Sequence, residues 1–388
     1  MPENRLGKCH VLLICESMFP SIRLCGDGQL SELERMGRIE YRMRQTLRVA
    51  RGDIEWADVA VLGRLDTRFA CELAKRLHDA RKYVIYMLDD DLLGVPEHLS
   101  VSAYYAREDT RTHIRTMMEL SDALLSTSPR ILEKYRREGR RAFLVDGFAE
   151  SFAEFEMHTG SACVRIGFAG SVDRGGDVDA ILSEALCRVS QRYGERVRFQ
   201  FMGVSPSCAQ TIGAEVLPYM DSYERYRETL AGLKWDIGLA PMPDTPFHSC
   251  KYINKYIEYA SAGAAGVFSR VEPYLRLSGE MGVGALCENT PEAWYEALCA
   301  LIEDDGRREC ARSTAYAYVR REMNLHAVAE RFFEELREAF DYRAPEAAWT
   351  YGLAWQRAAY VLDKGITVAR KYGLRLPAVI CRRIRGGR

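Results

Sequence analysis

The sequence predicts an α/β protein of two domains, each a parallel sheet covered by helices and the two facing a cleft, with a helical C-terminal extension. Three observations carry this. The chain has 388 residues, 47% of them hydrophobic, enough for two domains of roughly 150–200 residues with a core in each. Short apolar runs alternate with helix-length segments, the pattern of parallel strands joined by helical crossovers. That alternation stops over Glu150–Gly160, which has no clean periodicity, and begins again at Val164. The expected boundaries are 1–158, 159–340 and 341–388. Open parallel sheets hold ligands beyond the carboxyl ends of their strands, so two such domains would place a ligand between them.

Taken in order, Cys9–Cys15 reads as a buried first strand, followed by a long helix around Leu30–Val49. Strands are expected at Val59–Leu62 and Tyr83–Leu88, with a helix over Phe69–Leu77 between them. Ala123–Thr127 makes another strand, Pro129 opens a short helix ending near Tyr135, and Ala142–Val145 returns to the sheet. The second round begins with Val164–Ala169. Its helix shows Val178, Ile181, Leu182, Ala185, Leu186, Val189 and Tyr193 at three- and four-residue steps, stopped by Gly194, which is one apolar face at helical period. Further strands fit Val197–Met202, Ile237–Ala240 and Ala265–Phe268.

Composition narrows the function classes. Fifty-four Lys and Arg against fifty-five Asp and Glu leave a formal charge of −1, so no global field draws the chain to nucleic acid, and a phosphate ligand needs local cations. The twelve cysteines include no pair separated by two residues, which suits reduced, buried thiols in a cytoplasmic protein better than a zinc knuckle or redox pair. No run approaches the roughly 20 apolar residues of a membrane span, and the amino-terminal apolar run is short for a signal peptide. Eight Lys or Arg residues follow Asp363, the last acid. They read as a solvated helix end, or as a peripheral contact for anionic lipid on the inner face of the cell membrane or for a phosphorylated acceptor.

Two segments suit phosphate chemistry. In Pro246–Gly263, with Ser249 as a helix cap, Lys251, Lys255, Glu258 and Ala262 fall at steps of four, three and four. That spacing aligns two ammonium groups and a carboxylate on one face. Cations offset diphosphate charge, and a carboxylate accepts from vicinal sugar hydroxyls; without a ligand the same pattern is a solvated Lys-Glu face. His248, just before this segment, could contact phosphate. The second segment, Gly167-Phe-Ala-Gly-Ser-Val-Asp-Arg-Gly-Gly-Asp177, lies between the best strand and best helix of the second block. Gly170 permits a tight turn, and Ser171 and Arg174 add donors beside a helix amino terminus. The segment is neither a GxGxxG fingerprint nor a P-loop.

Asp89, Asp90 and Asp91 satisfy the DxD spacing of divalent-metal diphosphate sites. They read alternatively as a structural turn or as part of an acceptor site, and no metal ligand set is assigned. No Ser-His-Asp spacing, Gly-x-Ser-x-Gly elbow or RNA-binding motif is present.

These residues carry a resemblance. Over about 160–335 the chain resembles the donor domain of GT-B glycosyltransferases, in particular the retaining family four, also called group-one glycosyltransferases. Gly170-Ser-Val-Asp-Arg-Gly-Gly-Asp177 resembles the family's Gly-Arg…Lys-Gly turn, with Ser171 at the usual arginine and Arg174 at the usual lysine. Lys255-Tyr-Ile-Glu-Tyr-Ala-Ser-Ala-Gly263 resembles the end of its Glu-x7-Glu motif. Glu258 matches the second glutamate and Cys250 stands at the first, so the motif is incomplete. Asp236-Ile-Gly-Leu-Ala-Pro241, Pro246-Phe247, Cys250-Lys251 and Lys255-x2-Glu258-Tyr259 are similar to a subgroup of bacterial surface-polysaccharide enzymes. Over 9–150 the likeness is weaker and rests on Asp89-Asp-Asp-Leu-Leu93.

The resemblance implies two Rossmann-like domains, the first on the acceptor side and the second binding a nucleotide-diphosphate sugar, with no cofactor. It implies sugar transfer with retention to a hydroxyl acceptor, a surface glycan or its lipid-linked precursor. Arg174, Lys251 and Lys255 would stabilise phosphate charge. Gly170, Ser171, Glu258 and His248 would bind donor, and Asp89, Asp90 and Asp91 would lie on the acceptor side. A nucleotide-sugar epimerase, which shares such domains, and a noncatalytic nucleotide-sugar-binding protein are the alternatives.

Overall fold

The computed structural model describes residues 7–157 and 163–345. The chain divides into two compact units, one of residues up to Val145 with those from Ala329 on, the other Asp146–Val328.

The first unit holds six parallel strands: β1 (Cys9–Cys15), β2 (Ile39–Gln45), β3 (Val59–Gly63), β4 (Tyr83–Met87), β5 (Ala123–Ser126) and β6 (Arg141–Leu144), in spatial order β2-β1-β3-β4-β5-β6. β1 and β3 are buried along their whole length apart from His10, as strands covered on both faces must be. One expectation fails here. The helix placed over Leu30–Val49 in fact runs from Pro20, through a π-turn at Arg23–Asp27, and ends at Arg35. Gly37, at φ +75°, reverses the chain, and Ile39–Gln45 becomes edge strand β2. Its exposed edge position allows charged residues in alternation, so Ile-Glu-Tyr-Arg-Met-Arg-Gln lacks the apolar density of the inner strands.

The second unit holds β7 (Val164–Ala169), β8 (Val197–Met202), β9 (Glu215–Leu217), β10 (Ile237–Ala240), β11 (Ala265–Ser269) and β12 (Ala285–Cys287), all parallel, in order β12-β11-β10-β7-β8-β9. This is the Rossmann order, with its reversal between β7 and β10. Alternate strand residues feed opposite cores. Ile166, Phe168, Phe199, Phe201 and Leu239 pack with the Gly175–Tyr193 and Pro291–Glu303 helices. Ala169, Met202, Ala240 and Phe268 pack with the Asn254–Ser261 and Asp305–Glu322 helices. Gly167 is required by this packing: a Cβ there would lie 2.0 Å from the buried Trp235 indole, whose Nε1 donates to Gln200 at 2.8 Å.

The Gly175–Tyr193 helix buries the seven residues of the apolar face read from the sequence, and Gly194, at φ +51°, ends it. Each large side chain so buried contributes roughly 1.5–3 kcal/mol, which fixes the helix and hence the turn that precedes it. Of the extension expected at 341–388, only 341–345 is described. The helical segment and basic tail beyond lie outside the described residues. No helix of the described residues is long and apolar enough to cross a membrane.

Candidate functional site

The polar groups of the second unit gather where β7 and β10 end, the topological switch of the sheet. After β7 the chain passes Gly170, whose N–H donates to Met202 O at 3.0 Å, and makes a short turn at Val172–Arg174 before the Gly175–Tyr193 helix. Gly203, after β8, has φ +81°, and a Cβ there would lie 2.1 Å from Gly170 O. Glycine at this position lets the two turns touch.

Arg174 spans the switch point. Its Nη2 donates to Pro241 O, just beyond β10, at 2.6 Å, and its Nε to Asp177 Oδ2 at 2.7 Å. The same Asp177 oxygen lies 3.7 Å from His248 Nε2. His248 is 3% exposed, and its Nδ1 lies 2.8 Å from Thr245 Oγ1. The first turn of the Gly175–Tyr193 helix has no side-chain cap, and nothing stands within 4 Å of a Cβ built at Gly175 or Gly176. Gly175 N–H donates to Val172 O, and the amides that follow it in the first turn lie beside the Arg174 guanidinium. Ser171 precedes this turn, is exposed and caps nothing.

Glu258 stands on the Asn254–Ser261 helix. Lys255 Nζ donates to Glu258 Oε2 at 2.6 Å and to Tyr226 OH at 3.0 Å, and Tyr226 OH donates to the same Glu258 oxygen at 2.7 Å. Tyr259 anchors this helix to the switch point: its hydroxyl donates to Leu239 O at 2.7 Å and accepts from Ala169 N at 3.4 Å. Burial pushes the hydroxyls of Tyr259 and Tyr274 up, with Glu258 adding to the rise and Arg174 opposing it. Tyr259 thus ties the Glu258 helix to the ends of β7 and β10, the strand ends that Arg174 also bridges.

Lys251 departs from the expected geometry. Ser249 does not cap a helix; its Oγ donates to Pro246 O, His248–Cys250 forms a 3-10 turn, and the α-helix starts at Asn254. Lys251 therefore lies before the helix in extended backbone, off the Lys255–Glu258 face, with Nζ 4.3 Å from the Phe247 ring centroid. The proline-bearing loop after β10 is fixed by its own turn, which delays the helix start. Lys255, expected beside phosphate, directs its ammonium to Glu258 and Tyr226.

In the first unit the three aspartates after β4 diverge. Asp89 Oδ2 accepts from Arg64 Nη1 at 2.7 Å, and Asp90 lies 3.9 Å from the same atom. Asp91, 1% exposed, accepts from Lys134 Nζ at 2.5 Å and from the Tyr135 hydroxyl. Arg64 is held at φ +51° at the end of β3. Among the described residues no three His, Cys, Asp or Glu side chains gather as a metal set.

Sequence reasoning missed Asp177, Tyr226 and Tyr259 as partners. Asp177 was accessible, three residues after Arg174 on a helix start. Tyr226 was not, because its contact with Glu258 spans 32 residues.

No protein-family model matches the sequence, and no curated protein matches it. Solved structures do share its fold. A protein of Anabaena, HepE, solved with UDP and glucose, superposes with a TM-score of 0.55 at 13% identity, covering 84% of this chain and 99% of that one. A UDP-forming α,α-trehalose-phosphate synthase of Burkholderia xenovorans gives 0.54 at 12%, covering 86% and 99%. A protein of Listeria monocytogenes described as a putative UDP-N-acetylglucosamine 2-epimerase gives 0.54 at 11%, covering 88% and 100%. The chain has the GT-B fold of two Rossmann-like domains.

Proposed function

We propose that the protein is a glycosyltransferase that takes a sugar from a nucleotide-diphosphate donor to a hydroxyl acceptor with retention of configuration. The observation that carries this is Arg174 at the β7/β10 switch point, at the amino terminus of the Gly175–Tyr193 helix, with the Glu258 helix tied to the same strand ends through Tyr259. Nη1 of Arg174 has no bond among the described residues, since Nε and Nη2 are engaged. A diphosphate seated on the helix amides would meet this edge, where preorganised positive charge stabilises the leaving phosphate as the glycosidic bond breaks. Glu258 accepts from donor hydroxyls. Retention follows a front-face course in which the leaving phosphate oxygen takes the acceptor proton.

Gly170 supplies close backbone approach, and Ser171 and Lys251 remain donor-side groups. His248 acts behind Asp177. Asp89 and Asp90 lie at the carboxyl end of β4, the edge of the first sheet suited to an acceptor; Asp91 serves the turn. A glycan or its lipid-linked precursor as acceptor rests on the resemblance of the sequence motifs. So does the place of action, the cytoplasm beside the inner face of the membrane.

Product analysis tests the reading. With a panel of UDP-, GDP- and ADP-sugars and hydroxyl acceptors, the expected result is an acceptor-dependent glycoside and free nucleoside diphosphate. An acceptor-independent epimer would assign the protein to the epimerases, and donor binding with no turnover to noncatalytic binding.

A further inference from the structure

We infer that His248 and Thr245 are positioning residues for Arg174: the Thr245 hydroxyl sets the His248 ring, and the ring holds the Asp177 carboxylate against the guanidinium. The inference rests on the donor-site reading above and adds the residues that keep its cation in place.

Asp177 poses a conflict that this arrangement resolves. It stands in the first turn of the Gly175–Tyr193 helix, where a carboxylate is drawn to the same positive end that would seat a phosphate. Its Oδ2 instead accepts from Arg174 Nε at 2.7 Å and lies 3.7 Å from His248 Nε2. At that distance ring and carboxylate attract electrostatically rather than through a direct hydrogen bond. A proton on Nε2 faces the carboxylate favourably, whereas a lone pair there would be repelled. With Nε2 protonated, the neutral ring leaves Nδ1 as an acceptor, and Thr245 Oγ1 lies 2.8 Å from it. Thr245 Oγ1 also accepts from His248 N at 3.2 Å, so its one proton is left for Nδ1. The His248 and Asp177 side chains are 4% and 13% exposed, so solvent screens their attraction little.

The loop that carries His248 is itself fixed from its other end. Ser269, buried at the end of β11, accepts from Met242 N at 2.8 Å and donates to Asn289 Oδ1 at 2.6 Å, and Asn289 Nδ2 donates to Met242 O at 2.8 Å. Met242 follows Pro241, whose carbonyl accepts from Arg174 Nη2. The loop after β10 thus reaches the guanidinium twice, through the Pro241 carbonyl and through His248 and Asp177. Without His248, Asp177 would be free to turn to the helix amides, and Arg174 would lose one of its two anchors.

Two measurements on the full chain test this. In ligand-free protein the Arg174 Nε–H proton resonance, assigned by its loss in Arg174→Lys, should be protected from solvent exchange, and His248→Phe should speed its exchange roughly tenfold. Thr245→Val, which removes only the hydroxyl, should act in the same direction, and His248→Gln, whose amide can still face Asp177, should stay near the parent. In titration calorimetry with UDP, GDP and ADP, His248→Phe should weaken the binding shown by the parent roughly tenfold, yet cost little further in an Arg174→Ala background, since the effect runs through the guanidinium. Equal losses in both backgrounds, or an Arg174 Nε–H that exchanges alike in the parent, His248→Phe and Thr245→Val, would overturn the inference with the donor reading intact. A parent that binds none of the three diphosphates would remove the donor reading, and the exchange measurement would still decide whether His248 holds Arg174.

Discussion

Arg174 Nη2 donates to Pro241 O at 2.6 Å, joining the turn after β7 to the end of β10. These two strands are neighbours in the sheet but are separated by two strands in sequence, so the bond bridges the point where the connectivity reverses direction. The guanidinium is consequently held from two sides, by Pro241 and Asp177, before any ligand arrives.

Replacing Arg174 by Ala should lower kcat/KM for the donor by roughly hundredfold, about 3 kcal/mol, while circular dichroism and the unfolding midpoint stay close to the parent's. Steady-state kinetics with an activated donor check this. Arg174→Lys should recover little, since one ammonium cannot bond Asp177 and Pro241 and still present a free edge. Unchanged kinetics would remove Arg174 from the site.

Glu258→Gln keeps the shape and removes the charge that Lys255 and Tyr226 address. Donor KM should rise about tenfold with a smaller change in kcat, the signature of lost ground-state binding. Equal KM in parent and variant would return Glu258 to the helix surface.

The two aspartates with DxD spacing face different partners, Asp89 toward Arg64 and Asp91 toward Lys134 and Tyr135. Transfer should therefore persist in excess chelator. Activity lost in chelator and restored by manganese or magnesium, with the metal located at Asp89 and Asp91, would contradict this placement.

Much of this was legible in the sequence. Buried strands such as Val59–Gly63 and Ile237–Ala240 announce themselves because both faces are covered and charged residues are absent. The Gly175–Tyr193 helix shows its period because one face alone is buried. Edge strand β2 does not, because an exposed edge tolerates Glu40, Arg42 and Arg44, whose pattern fits a solvated helix equally well. At the site the same division holds. Arg174 and Glu258 stood out by charge beside glycine and small residues. Their partners did not, since Tyr226 and Pro241 meet them across 32 and 67 positions, and no local rule predicts such pairs.

Two thiols of the first unit, Cys15 buried and Cys71 half-buried, are expected to set an alkaline limit on stability. Burial first, with Asp27 and Glu16 adding, pushes Cys15 from 9.0 up to about 11. Burial, then Glu72, pushes Cys71 up to about 12. Below pH 9.0 both folded and unfolded chains keep these protons. Above it the unfolded chain ionises first, so stability is full below pH 9.0 and declines as pH rises toward about 11 to 12. Urea midpoints at about pH 8 and about pH 10.5 should fall less for Cys71→Ala than for the parent. Equal declines would deny the thiol a share.

Hydrogen exchange of the full chain with and without saturating nucleoside diphosphate bears most directly on the donor site. Protection should appear over residues 170–177 and 241–258, the ends of β7 and β10 and the Glu258 helix, and be absent over 89–91. A diphosphate that binds and protects 89–91 while leaving 170–177 and 241–258 unchanged would contradict the assignment of the donor to the second unit.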